Sequence, residues 1–376
     1  MGVELGQDGV VTAAVRVEDV AGGFSITTSS FRARVDAASG IVVSLVDAVT
    51  GALLVGRGEV TSPESLRQHR HDLGLGALVV THELPHAMSS WVTDRADSEH
   101  TLISGGTTRL VESGPIRAVL ETRHRFGLSR ATVRCMFYQS LPWIEFEVQV
   151  QWEEPGGELV GVPGLAISFG NRSPAAELWT ETPFGAARSA ADGYLRPMLR
   201  WADLGSASGG LAVANDSKYG VEAMGPRMRV PLVRSAYDPD PTSDVGHTIT
   251  SRFRVMPHTG GWQDADVVGL GAGLNHPVRF TAGAGGAPVQ TLRPTLVPGS
   301  GVVIAGMQPA ATGMLVRLSE TTGRDCVATL AGLGQQPVRV CDLFGEPGDL
   351  LPQHNGQVAM PFAAFEVRTV LVQTRP

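Results

Sequence analysis

The sequence predicts an all-β protein: a large sandwich over residues 23–290 and a smaller one over residues 295–376, after a leader or strand at 1–22. Three observations predict it. Apolar and polar residues alternate along several long runs, the mark of half-buried strands. Glycine (46 residues) and proline (24) are spread along the chain as turn signals, which suits many short strands. Convincing helical periodicity is nearly missing, and charged residues make up only 18%, low for a helical protein. A length of 376 residues exceeds one small core, so a second is expected.

The elements follow in chain order. Residues 24–36 (FSITTSSFRARVD) alternate, and residues 40–55 hold two strands joined by a turn at 47–51. Residues 107–126 and 129–152 are the clearest strands. In the second of these, Ile144, Phe146, Val148, Val150 and Trp152 share one face. Trp143, Glu145, Glu147, Gln149 and Gln151 share the other, so the apolar set points to a core. Residues 209–235 read as strand, turn at 215–217, strand, turn and strand, with Asp216, Lys218 and Tyr219 at a hairpin end. A short helix or loop is expected at 63–74 and one turn of helix within 261–275. Residues 283–301 read as a link, and a further meander runs from 301 to the end.

Bulk properties narrow the partners. A net charge of −7, with acids and bases interspersed and no basic face evident, argues against nucleic acid. Cys135, Cys326 and Cys341 make no disulfide framework, and free thiols are expected, although Cys326 and Cys341 can meet on neighbouring strands. Residues 1–11 read as a loose tail without the basic-then-apolar pattern of a secretory signal. No run of about eighteen apolar residues is present to cross a membrane. A cytoplasmic protein is the expectation.

The order of motifs resembles the C-terminal β region of glycoside hydrolase family 38, the α-mannosidase type. FRARVDAASGIVVSLVDAVTGALL is similar to the segment that opens that region, and the run from VESGPIRAVL to EVQVQWEE resembles its next long strands. TETPFGAARS, RWADL, GGLAVANDSKYG, VPLVRSAYDPDPTSDVGHTITSRFRVMPH, MLVRLSETTG and FEVRTVLV then follow in family order. The resemblance implies a supersandwich like that of galactose mutarotase, followed by a smaller sandwich. It also implies that the catalytic carboxylate and most zinc ligands belong to an α/β barrel and helical bundle. No His-x-Asp strand end or His-His-Asp motif of the family's zinc site is found here. Met1 and a leader unmatched by the family point toward a stand-alone chain.

Candidate site residues come from two loops. The resemblance implies that the loop after residue 234 reaches the sugar-binding cleft. Asp238 and Asp244 there accept hydrogen bonds from sugar hydroxyls and Arg234 orients them, while Asp240 in YDPDP reads as a turn former. Asp244 and His247 are the acid/base candidates of this stretch. His258 shapes a turn by satisfying a loop carbonyl. An Asp244/His247/His258 metal site is weighed and not adopted. His69, His71 and Asp72 have a metal-like spacing, but arginines flank them and a solvated loop is preferred. PHAMSSWVTDR resembles a family element with an aromatic and an acid near the cleft, which singles out Trp91 and Asp94; Glu83 and His86 qualify by residue type. Trp179, Trp201 and Trp262 are candidate sugar platforms, whereas Trp143 and Trp152 read as packing residues.

The resulting assignment gives Asp244, His247 and Asp94 catalytic roles. Trp91, Trp201, Arg234, Asp238, His258 and Trp262 bind, and no metal or cofactor is expected. The ligand is a carbohydrate or another small molecule. A catalytic barrel subunit or a second copy of the chain are candidate partners. Two other readings stay open: a metal-free epimerase, lyase or cyclase using the sandwich cleft, and a purely structural module. Nucleophile elbows and phosphate-binding glycine loops are missing; GLGAGLN follows no parallel strand.

Overall fold

A computed structural model describes residues 14–56, 74–172, 177–242, 244–278 and 293–373. The chain forms two compact units, Met1–Thr180 with Arg188–His276, and Glu181–Ala187 with Pro277–Pro376. Residues 63–73 of the expected helix or loop at 63–74, the histidines His69 and His71, the tail at 1–11 and the link over 283–292 lie outside the described residues.

The protein is all-β. One sheet of the first unit has eleven strands. Its main path is β1 (Arg16–Val20), β2 (Gly23–Thr27), β3 (Phe31–Asp36), β4 (Val42–Asp47), β6 (Leu75–Glu83), β12 (Val162–Gly170), β19 (Arg227–Arg234), β18 (Gly220–Met224) and β15 (Asp192–Pro197). Off this path, β5 (Leu53–Val55) pairs with β4 and β7 (Ser98–Thr101) with β6. The other sheet has nine strands. They run β14 (Gly185–Ser189), β13 (Glu177–Thr182), β16 (Trp201–Ser206), β17 (Gly209–Asn215), β20 (Thr248–Thr259), β11 (Ile144–Gln151), β10 (Ser129–Tyr138), β9 (Arg117–Phe126) and β8 (Thr107–Ser113).

The second unit packs a three-stranded sheet, β21 (Thr295–Leu296), β24 (Cys326–Ala331) and β27 (Val358–Phe362), on a five-stranded one. The latter runs β22 (Val302–Ala310), β23 (Gly313–Glu320), β28 (Val367–Gln373), β25 (Val338–Cys341) and β26 (Pro347–Leu350). Leu330 and Phe362 of one sheet meet Val316, Leu318 and Val370 of the other in its core.

Period-two alternation builds the large core as expected. Ile144, Phe146, Val148, Val150 and Trp152 are all buried. Phe169 of β12 lies 5.8 Å from Phe146 and 5.8 Å from Phe253, so one ring stitches the two sheets together. Each such ring contributes roughly 2–3 kcal/mol through burial. The turn at 47–51 also forms as expected: the Asp47 carboxylate accepts the amides of Val49 and Thr50.

One turn reading is corrected. Residues 215–219 do not close a hairpin but carry the chain between the sheets, from β17 to β18, as residues 235–247 do from β19 to β20. The place beside β17 is taken by β20, with Leu211 opposite Pro257, so β18 has to pair elsewhere. Likewise β19 lies between β12 and β18. The single turn expected within 261–275 is a nine-residue helix, α1 (Val267–Asn275). Its buried residues Val267, Leu270, Gly271 and Leu274 keep helical spacing, with glycine forming part of the packed face.

Gly76 gives a sharp test of the packing. It has φ +80, and a Cβ there would fall 2.4 Å from Cε1 of Phe146. Gly76→Val is expected to destabilise by about 3 kcal/mol or more, read as a lowered melting temperature. Gly51→Ala, at φ +72 with nothing within 4 Å of the new methyl, is expected to cost about 1 kcal/mol.

Candidate functional site

The central strand of the first sheet sets up the site. β6 and β19 flank β12, with Gly164 opposite both Thr81 and Arg234 and Val162 opposite Glu83. Glu83 and Arg234 therefore end on either side of β12. Arg234 reaches across and forms a bidentate pair with Glu83, Nε to Oε1 at 2.5 Å and Nη2 to Oε2 at 2.7 Å. Nη1 also donates to the carbonyl of Ser89 at 2.5 Å, and Nη2 to that of Val92 at 2.9 Å. Glu83 accepts the Asp94 amide at 2.9 Å and lies 3.1 Å from His86 Nε2. Burial alone raises the Glu83 pKa, but the hydrogen bonds from Arg234 and Asp94 outweigh it and hold the carboxyl below its usual range.

A second set of bonds ties the two loops, residues 84–97 and 235–247, to each other. Ser89 Oγ accepts the amides of Tyr237 and Asp238 at 3.1 and 3.0 Å. The Asp238 carboxylate accepts the amide of Met88 at 2.5 Å, and the Asp238 carbonyl accepts that of Ser90 at 2.8 Å. The Tyr237 hydroxyl donates to the His86 carbonyl at 3.1 Å. A third loop, residues 152–161, joins through His82 Nε2 and the Val160 carbonyl, 2.5 Å apart.

These bonds bring Trp91, Asp94, Arg234 and Asp238 into one loop cluster. Arg234 and Asp238 brace the neighbouring loops through these bonds. Trp91 remains 71% exposed. Asp94 is exposed and lines a cleft of about 220 Å³ with Arg95, Glu99, Tyr194, Glu222 and Arg229. On the cleft wall Arg229 pairs with Glu99 and Glu222, and Arg95 stacks 4.4 Å from the Tyr194 ring centroid. Sequence reasoning missed this wall. The hairpin that sets Glu222 opposite Arg229, with Gly225 at its turn, was the signal that could have found it. Asp244 and His247 form a turn, with the His247 amide on the Asp244 carbonyl at 3.1 Å. Asp244 also acts on the buried Lys218: burial lowers the Lys218 pKa, and the charges of Asp244 and Asp216 oppose it without cancelling it.

The remaining candidates sit on the other sheet, away from these loops. Trp201 and Trp262 are 1% and 3% exposed, with ring centroids 5.0 Å apart. Trp179 lies 5.4 Å from Trp262. Gly271 of α1 packs against Trp201, where a Cβ would come within 3.1 Å of Cδ1. Trp201 and Trp262 are too buried to offer a ring face as sugar platforms, while Trp179 is partly exposed. His258, on β20, brings its Nε2 to 2.7 Å from Asp203 Oδ1, with both side chains nearly inaccessible. Burial lowers its pKa, but the hydrogen bond and charge of Asp203 more than reverse this and leave it raised. Among the described residues no group of three or more His, Cys, Asp or Glu side chains is placed to hold a metal ion.

The two-sheet sandwich followed by a smaller one is a fold with solved examples. The fold is shared with an alpha-mannosidase from Enterococcus faecalis V583, at a TM-score of 0.73 and 12% identity over 95% of this chain and 42% of that one. Residues 26–242 match the Glycosyl hydrolases family 38 C-terminal domain, more than half of the sequence, and the chain belongs to that family. Alpha-mannosidase 2C1 of Homo sapiens is 27% identical over 266 residues, which cover 66% of this chain and 25% of that protein. Alpha-mannosidase G of Dictyostelium discoideum is 29% identical over 186 residues, 46% of this chain and 16% of that protein. The chain thus spans about a quarter of the human relative's length.

Two pH effects follow. Glu83→Gln is expected to destabilise by about 3 kcal/mol at neutral pH, because it leaves Arg234 without its counter-charge. The folded pKa of Glu83 lies below its unfolded value near ~4.3. Its contribution is therefore full above that value and is lost as pH falls through the lower folded pKa, so urea curves of the two proteins should converge in acid. For His258 the sign is opposite. Its contribution is full below the unfolded value near ~6.5 and is lost as pH rises through the raised folded pKa. His258→Gln should lower the melting temperature more at acid than at alkaline pH.

Proposed function

We propose that this chain serves as the C-terminal β region of an α-mannosidase-type glycosidase, and that its braced loop end docks on the part carrying the catalytic barrel. The observation that carries this reading is a contrast on the same loops. Ser89, Arg234, Tyr237 and Asp238 are engaged in hydrogen bonds between the loops, while large apolar side chains of the same loops face water. Leu84 is 58% exposed, Trp91 71% and Leu159 99%. Met88, Val92 and Val160 are exposed as well. A loop held rigid by a buried ion pair while it presents apolar groups is built for a partner surface, with Trp91 the natural anchor. The relatives support the choice of partner, since most of the human and Enterococcus alpha-mannosidase chains lies beyond what this chain matches.

In this reading a carbohydrate meets the chain at the rim, where Asp94 and the neighbouring cleft offer carboxylate and guanidinium partners for hydroxyl groups. The hydrolytic chemistry comes from the docked part. The free thiols of Cys135 and Cys341, buried among strands, suit a reducing cytoplasmic location. Among the described residues no helix is long and apolar enough to cross a membrane.

The test is co-purification of the chain with the catalytic barrel region of a family α-mannosidase, with nitrophenyl α-mannoside hydrolysis assayed in added zinc. Turnover is expected only in the mixed sample. Trp91→Asp combined with Leu159→Asp should weaken association about tenfold or more with little change in melting temperature. Turnover by this chain alone, or association indifferent to both substitutions, overturns the proposal.

A further inference from the structure

The outer face of the nine-stranded sheet carries a charge array that the linear sequence hides. On β9, Ala118, Leu120, Thr122 and His124 are buried, so Glu121, Arg123 and Arg125 point the other way. Register then sets Arg109 of β8 and Arg134 of β10 opposite Glu121. Glu121 accepts Arg109 at 2.8 Å, Arg123 at 3.0 Å and Arg134 at 3.1 Å. Its side chain is 4% exposed, while the three arginines are 56%, 63% and 49% exposed. Burial by itself raises the Glu121 pKa, but the bonds from Arg109 and Arg134 outweigh it, so the carboxylate stays charged. One sunken anion thus pins three exposed guanidinium groups.

Beside this cluster, Arg125 and Arg130 are exposed and directly opposite each other across β9 and β10. Neither has an acidic hydrogen-bond or ion-pair partner among the described residues. The partner of Arg130 on β11 is Gln151, whose amide is engaged by Glu153. Like charges placed opposite each other in a ladder are destabilising. Folding gains nothing evident from this pair, in a protein whose net charge is −7.

We propose that this face binds a linear anionic polysaccharide bearing sulfate or carboxylate groups. Guanidinium groups grip such anions bidentately, and arginines already held in place lose little entropy on binding. Strand spacing of about 4.8 Å and a two-residue step of about 7 Å give cations at short repeats across a flat surface, suited to an extended chain of charges. Polynucleotides are disfavoured because none of the exposed aromatic side chains lies on these strands to stack a base. A sheet face also offers no helix or ribbon to enter a groove.

The test is calorimetric titration of the full chain with a heparin dodecasaccharide, beside a neutral mannan oligosaccharide, a DNA duplex and phosphatidylserine vesicles. Saturable binding of the heparin fragment is expected at about 50 mM salt, weakening steeply by about 200 mM, with none to mannan. Arg125→Gln with Arg130→Gln should lower affinity about tenfold while the melting temperature holds or rises, since a repulsive pair is removed. Arg130→Gln alone should give a smaller loss in the same direction. Arg188→Gln, which removes a pair to Glu177 on other strands, should leave binding unchanged. No saturable heparin binding, an equal loss in Arg188→Gln, or tighter binding to the duplex or vesicles overturns the proposal.

Discussion

Everything in the first unit hangs on burial between its two large sheets. Phe169 lies against both Phe146 and Phe253, and the inner faces of the flanking strands close around these rings. Because a strand alternates strictly, burying one face dictates what the other presents. Slipping any of these strands by one residue would carry charges inward and phenylalanines out. The core therefore fixes register, and register fixes which polar side chains can meet on the outer faces.

The loop brace is a consequence of that register. Glu83 and Arg234 belong to strands that do not pair with each other, and they meet across β12, which lies between them. The pair then organises backbone, since Arg234 binds the carbonyls of Ser89 and Val92, and Glu83 binds the amide of Asp94. A buried ion pair of this kind adds less net stability than its Coulomb attraction suggests, because both groups lose water. What it provides here is a defined shape for three loops whose apolar side chains are left outside. This chain matches one part of longer alpha-mannosidases.

The fold was largely legible in the sequence, and the site only partly. Residues 144–152 announced both faces of their strand, and Asp47 announced its turn. Trp201 and Trp262 misled because tryptophan beside glycine and proline looks like an exposed loop. In fact Trp201 opens a strand, and α1 covers it. Residues 215–219 and 235–247 carry turn-forming residues that suit a hairpin or a crossover equally well. Which one forms depends on whether the neighbouring place in the sheet is already filled. Glu83 and Arg234 are 151 residues apart, and nothing local to either names its partner.

The sequence by itself determined the all-β class, the inward set of each long strand and the family, because alternation and turn chemistry are local and their order is linear. Only the tertiary structure decided which strands are neighbours. That choice buries His258 against Asp203 and gathers the scattered arginines of β8, β9 and β10 around Glu121. It also sets Arg234 against Glu83 across β12. The physical reason is that cross-strand partners are set by packing of the whole core, a long-range outcome that no short stretch of sequence encodes.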